Sequence, residues 1–322
     1  MKKTLILIPI ILLLLGGYLA YFFIANDAPI IKGKVISNVE FKPGLSLDVY
    51  NPTVEVYGRN PVVIFYHGGA WIGGSKESVN INRFNHAINE LRKNGFAVVS
   101  PNYTLARNGQ SPFPACIEDG FDALFWVTDH AEEYGFDLDN VGVFGESAGA
   151  HIAMSVGYAK PSDFGIPRRK PKLEYVVDVY GPNHLERMYH MQTMDSINAL
   201  LEKLPPHLQE CLDIAQHLFG FDPDQDTLRA EKVMTIYSPI NYLDAEDPYT
   251  LMIHGDVDQI VPLDQSTLLK EKLDSLGVTN DIKILEGVNH AFSGATQQQK
   301  TEMEDLIAKT IMRNYSGQLN KP

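Results

Sequence analysis

An alternation along the chain most narrows what it can fold into. Short β-branched and apolar runs at 61–66, 96–100, 141–144, 175–180, 250–254 and 281–285 are separated by stretches with helical periodicity at 79–94, 115–134, 148–159, 265–276 and 297–313. Continuous apolar runs of this length suit strands buried on both faces, and strands joined by helical crossovers run parallel. The pattern predicts an α/β domain, a mostly parallel sheet with helices on both faces. The run 45–50 alternates apolar and polar residues instead, as an antiparallel edge would.

The rhythm breaks once. Between Gly181 and Ser238 the chain carries helical signals and no strand-like run. A structureless loop of that length is out of place in a compact domain, so about 182–238 is expected to form a helical insertion or cap. Its Met188, Met191 and Met194 either pack the insert or line a substrate pocket, where flexible thioethers suit varied ligands.

At the N-terminus, Lys2 and Lys3 precede an uncharged apolar run at 4–24. That matches the roughly 20 residues needed to span a bilayer and exceeds the roughly 7–15 of a signal-peptide core. No small-x-small cleavage site follows, because Phe23 precedes Ala25 and Tyr18 precedes Ala20 by two positions. The expected organisation is a signal anchor or signal peptide at 1–25, a linker at 26–44, the α/β domain at 45–316 and a tail at 317–322. The flanking lysines would hold the N-terminus in the cytoplasm and export the rest, to a periplasmic or extracellular position, although Lys32 and Lys34 weaken that bias. Uncleaved, the helix would tether the protein to a membrane; cleaved, it would leave a secreted one.

The net charge is −13, with 27 basic and 40 acidic residues and no basic stripe, which argues against a nucleic-acid partner and against polyanionic substrates. Two cysteines, Cys116 and Cys211, are too few for a disulfide framework, and each is read as structural unless export allows them to pair. No metal-ligand spacing is present, and His151, four residues after Ser147, is read as a packing or hydrogen-bonding residue.

Four features carry chemistry. Gly145-Glu146-Ser147-Ala148-Gly149 follows the run 141–144 and opens a helical stretch. That is the strand–turn–helix setting of a nucleophile elbow, where small neighbours permit a tight turn that exposes the serine hydroxyl. His67-Gly68-Gly69-Ala70 follows the run 61–66, where a glycine-rich loop can supply backbone N–H groups to an oxyanion hole. Gly68 and Gly69 would act there with Ala148.

The third feature is His254-Gly255-Asp256-Val257-Asp258, after the run 250–254, at the position of a triad acid. Asp258 is preferred over Asp256 because Val261-Pro262 follows it, and Asp256 is expected to cap the turn. The fourth, Asn289-His290 after the last run, places an imidazole in a loop as general base. The pentapeptide alone is weak evidence. Four features after the right strands, in the order Ser147, Asp258, His290, form a specific signal. Trp71 and Tyr180 are candidate walls of a substrate pocket.

With these motifs in hand, the chain resembles the lipase/esterase branch of the α/β hydrolases, which includes hormone-sensitive-lipase-like carboxylesterases. Within it the sequence is most similar to the bifunctional feruloyl and acetyl-xylan esterase-like group, through PVVIFYHGGAW, SPFPACIEDG, GFDLDNVGVFGESAGAHIA, VVDVYGP, SPINYL, HGDVDQIVP and EGVNHAF. The resemblance implies an eight-stranded, mostly parallel sheet, no cofactor, and hydrolysis of esters with small to medium acyl groups. It also implies Ser147 as nucleophile, His290 as base and Asp258 as orienting acid.

Two positions depart from that group. Ala70 stands where a third glycine is usual, and Asn102-Tyr103-Thr104 replaces Asp-Tyr-Arg, with the loss of a structural ion pair. An amide hydrolase of the same fold, an arylformamidase or an exopeptidase, and a non-catalytic binding protein are the rival readings.

Overall fold

The computed structural model describes residues 33–315, except 82, 108 and 190–217. The run 4–24, Cys211, His190, Met191 and Met194 lie outside the described residues. Eight strands form one sheet in the order β1-β2-β4-β3-β5-β6-β7-β8. They are β1 (Val35–Lys42), β2 (Leu45–Tyr50), β3 (Asn60–Tyr66), β4 (Ala97–Pro101), β5 (Phe136–Glu146), β6 (Tyr175–Val179), β7 (Tyr249–Gly255) and β8 (Asn280–Leu285). The pairs β1/β2 and β2/β4 are antiparallel, and all other pairs are parallel.

The central strands follow from their composition. From Pro61 to Tyr66 every residue of β3 is buried. Val62, Ile64 and Tyr66 enter one apolar layer, while Val63 and Phe65 enter the other, as a pleat of period two requires. The first layer packs against α3 (Ala115–Asp129), α5 (Ala148–Tyr158) and α8 (Asp264–Leu276). The second packs against α2 (Asn85–Lys93) and α9 (Gln297–Arg313) through Phe84, Leu91, Met303, Ile307 and Ile311.

Three expectations are corrected here. Residues 35–42, read as part of a linker, form the edge strand β1. Register shifts between Ile36 and Val39 and between Glu40 and Lys42 interrupt its alternation, and bulges of that kind hide a strand from a period-two reading. The single helix expected at 79–94 is two helices, α1 (Ser78–Ile81) and α2. The stretch 115–134 likewise divides at His130 into α3 and α4 (Ala131–Tyr134), and Gly135 ends it in the left-handed region.

In the 182–238 segment the described parts include α6 (Leu185–Tyr189) and α7 (Thr227–Ile236), and no strand occurs among the described residues there. Among the described residues no helix is long and apolar enough to cross a membrane. Cys116 is fully buried in the first apolar layer.

Candidate active site

The loops after β3, β5, β7 and β8 leave the carboxyl ends of their strands on one edge of the sheet, where they meet. At the end of β5 the backbone turns sharply, and Ser147 adopts φ 51, ψ −122. A non-glycine residue held in such a conformation costs on the order of 1–3 kcal/mol, which the surroundings must overcome. Ser147 N donates to Val179 O at 2.9 Å, and His151 N donates to Ser147 O at 3.1 Å as α5 begins. The small neighbours are a steric necessity: a side chain on Gly149 would start 2.1 Å from Tyr66 O. Ser147 therefore stands at the positive end of the α5 dipole.

Ser147 Oγ lies 3.1 Å from His290 Nε2, and His290 Nδ1 lies 2.8 Å from Asp258 Oδ2. Asp258 Oδ1 accepts from Ile260 N and Val261 N, each at 2.9 Å. Burial opposes ionisation of Asp258, but hydrogen bonds from His254, His290 and the backbone outweigh it and hold the carboxyl well below the usual carboxylate range. An ionised Asp258 selects the tautomer with its proton on Nδ1, leaving the Nε2 lone pair facing the serine hydroxyl. Asp256 points elsewhere: its Oδ1 accepts from Gly287 N at 2.6 Å and ties the β7 loop to the β8 loop.

Two residues outside the expected set hold this arrangement. Asn289 Oδ1 accepts from His290 N at 2.7 Å and from Gln259 N at 2.9 Å, bridging the histidine loop to the acid loop. Buried His254 donates from Nε2 to Val261 O at 2.7 Å and accepts at Nδ1 from Ser266 Oγ at 2.8 Å, bracing the turn around Asp258. A histidine inside the apolar β7 run was the available signal for the second.

The β3 loop takes the left-handed region three times running, with φ 128 at Gly69, 52 at Ala70 and 57 at Trp71. A side chain on Gly69 would start 2.2 Å from Gly73 O. Ala70, which stands where the resembled group usually has a third glycine, therefore adopts the conformation a glycine would favour. His67 locks the loop: Nδ1 donates to Gly68 O at 2.8 Å, the ring stacks on Tyr103 at 4.3 Å, and Tyr103 Oη donates to His67 O at 2.8 Å. A Cβ on Gly68 would lie 3.2 Å from Glu146 O, so this loop rests directly against the elbow beside Ser147 and Ala148.

Trp71 and Tyr180, read as pocket walls, are only 2% and 1% exposed. Trp71 packs edge-on to His151 and Phe113, and Tyr180 lies against His290 and Phe292. Both rings are buried among these neighbours. His151 is buried and donates from Nε2 to Tyr237 O at 2.7 Å, with burial driving its pKa down to about 4 against that hydrogen bond. Among the described residues no group of three or more His, Cys, Asp or Glu could hold a metal ion.

The strand order, the elbow after β5 and the loops that converge on it define an α/β-hydrolase. The BD-FAE family model matches residues 47–273, and the chain belongs to that family. Among curated relatives, an esterase of Gibberella moniliformis is 25% identical over 266 residues, covering 78% of this chain and 75% of its own length. An arylesterase of Saccharolobus solfataricus is 27% identical over 279 residues, covering 84% and 80%. Among solved structures, a truncated carbohydrate esterase from gut microbiota shares the fold at TM-score 0.67 and 24% identity, covering 88% of this chain and 99% of that one.

Proposed function

We propose that this enzyme is a serine carboxylic-ester hydrolase acting on small to medium acyl esters through an acyl-enzyme. The observation that carries the reading is the continuous line from Ser147 Oγ to His290 Nε2, at 3.1 Å, and from His290 Nδ1 to Asp258 Oδ2, at 2.8 Å. In the first step Ser147 Oγ bonds to the ester carbonyl carbon while its proton passes to His290 Nε2. The oxyanion that forms accepts hydrogen bonds from the N–H groups of Gly68, Gly69 and Ala148. His290 then returns the proton to the departing alcohol. Water repeats the sequence on the acyl-enzyme, releasing the acid and restoring Ser147.

The names of the relatives, an esterase, an arylesterase and a carbohydrate esterase, support an ester rather than an amide substrate. Hydrolysis of p-nitrophenyl acetate, butyrate, octanoate and palmitate tests the reading, with Ser147→Ala as control and an N-formyl aromatic amine as the amide comparison. Cleavage of the shorter esters that is lost in Ser147→Ala supports it. A folded enzyme that cleaves only the formamide overturns it.

The placement outside the cytoplasm rests on Lys2, Lys3 and the apolar run 4–24. Protease treatment of cells stripped of any outer envelope that spares the domain until the cytoplasmic membrane is lysed would overturn that part.

A further inference from the structure

We infer that Tyr180, tied by its hydroxyl to Glu146 and Arg83, is a positioning residue that sets the catalytic imidazole of His290; this rests on the esterase reading above. Tyr180 follows β6, and its ring lies 4.7 Å from the His290 ring, tilted by 59°. It also meets Phe292 edge-on at 4.9 Å. The hydroxyl donates to Glu146 Oε2 at 2.7 Å, the short range of a charge-assisted hydrogen bond. Arg83 Nη1 donates to the same hydroxyl oxygen at 2.7 Å and lies 3.5 Å from Glu146 Oε2.

Glu146 is the residue immediately before the nucleophile, and it also abuts Gly68. One buried link therefore joins the elbow, the glycine loop and the face on which the imidazole rests. The backbone of Tyr180 is strained to make it, with φ 44, and is pinned by donation from Tyr180 N to Ile253 O at 2.8 Å.

This arrangement has two effects on the reaction. The ring limits rotation of His290 about the Asp258 hydrogen bond, keeping Nε2 on the serine. It also keeps an aromatic ring 4.7 Å from the imidazolium that forms when His290 takes the serine proton, within the range of attraction between a ring and a cation. Both effects act on proton transfer and neither on ground-state substrate binding. Loss of the link should therefore lower kcat and leave KM in place.

The test is the kinetics of Tyr180→Phe, Glu146→Ala and the double variant on p-nitrophenyl acetate, with melting temperatures alongside. Each single variant is expected to lose about tenfold in kcat with KM within about twofold of wild type, and the double variant to be no worse than either single one. A folded Tyr180→Phe with unchanged kcat overturns the inference. So does one whose KM rises while kcat holds, which would make Tyr180 a pocket wall. Should Tyr180→Phe fail to fold, Glu146→Gln, which replaces the charged acceptor by an amide of the same shape, is read by the same two criteria. If wild type cleaves no ester, the rate at which a fluorophosphonate labels Ser147 reports the same His290 function. A slower rate in Tyr180→Phe then upholds the positioning role although the ester reading has failed, and an equal rate overturns it.

Discussion

Lys42 Nζ lies 2.6 Å from Asp119 Oδ1, joining the edge strand β1 to a carboxylate buried in α3. Thr104 N donates to the other oxygen of Asp119 at 2.7 Å. The sequence reading had a structural ion pair lost where Asn102-Tyr103-Thr104 replaces Asp-Tyr-Arg. Here a cation from β1 serves Asp119, and Lys42 also reaches Asp122 at 2.9 Å.

Replacing Lys42 by alanine would leave Asp119 with a backbone donor and no cation. Breaking a buried pair is costly, but Lys42 is partly exposed and Thr104 N–H remains, so a loss of roughly 1–3 kcal/mol is expected. Thr104→Arg in the Lys42→Ala background should recover most of it. Urea midpoints of the single and double variants check this, and an unshifted midpoint in Lys42→Ala would show that the pair contributes nothing.

Asp258→Asn should lower kcat by about 10³–10⁴ while the protein stays folded. The amide oxygen can still accept from Ile260 N and Val261 N, but an N–H would then face His290 Nδ1. That favours the tautomer with its proton on Nε2, which cannot accept from Ser147. Asp256→Asn, whose carboxylate holds only Gly287 N, should keep kcat within about threefold. Steady-state kinetics of the two variants side by side give the answer, and equal losses would contradict the assignment of roles.

Asp178 supplies a pH-dependent term. Burial pushes its carboxyl up to about 7, opposed by His254 and by donation from Gly181 N, whereas the unfolded chain ionises it near 3.8. Between those values the folded state holds a proton that the unfolded state has lost. The stabilisation is complete below about pH 4, falls as pH rises and is gone above about pH 7. Asp178→Asn cannot ionise and still offers an acceptor to Gly181 N, so its urea midpoint should fall less than that of wild type from pH 5 to pH 8. Asp247, also raised to about 7 by burial, contributes the same sign and stays in both proteins. Parallel pH profiles for the two proteins would refute the prediction.

Ala70→Gly removes a methyl group from a left-handed residue. Relief of that strain outweighs the added freedom of the unfolded chain, and a gain of roughly 0.5–1 kcal/mol is expected with the loop conformation retained. Thermal unfolding measures it. A lower melting temperature would mean that the alanine methyl makes packing contacts worth more than the strain.

The succession of buried strands and helices along the chain, the elbow at Ser147 and the positions of Asp258 and His290 in loops after strands were legible in the sequence, because each depends on local periodicity and on which residue follows which strand. Tertiary structure decided the rest. Strand β1 was hidden because its bulges break the two-residue period, and only pairing with β2 makes it a strand. Asn289 and His254 are legible only as polar residues until the β7 and β8 loops meet and give them partners. Trp71 and Tyr180 read equally well as pocket or core, since an aromatic side chain after a strand can face either way. In the folded protein both rings are buried, Tyr180 against His290 and Trp71 against His151. Lys42 and Asp119 are 77 positions apart in the chain, and no local pattern links them; their pairing exists because β1 and α3 come together in the folded sheet. Local residue patterns determined which groups stand at the ends of the strands, and long-range packing determined which of them touch.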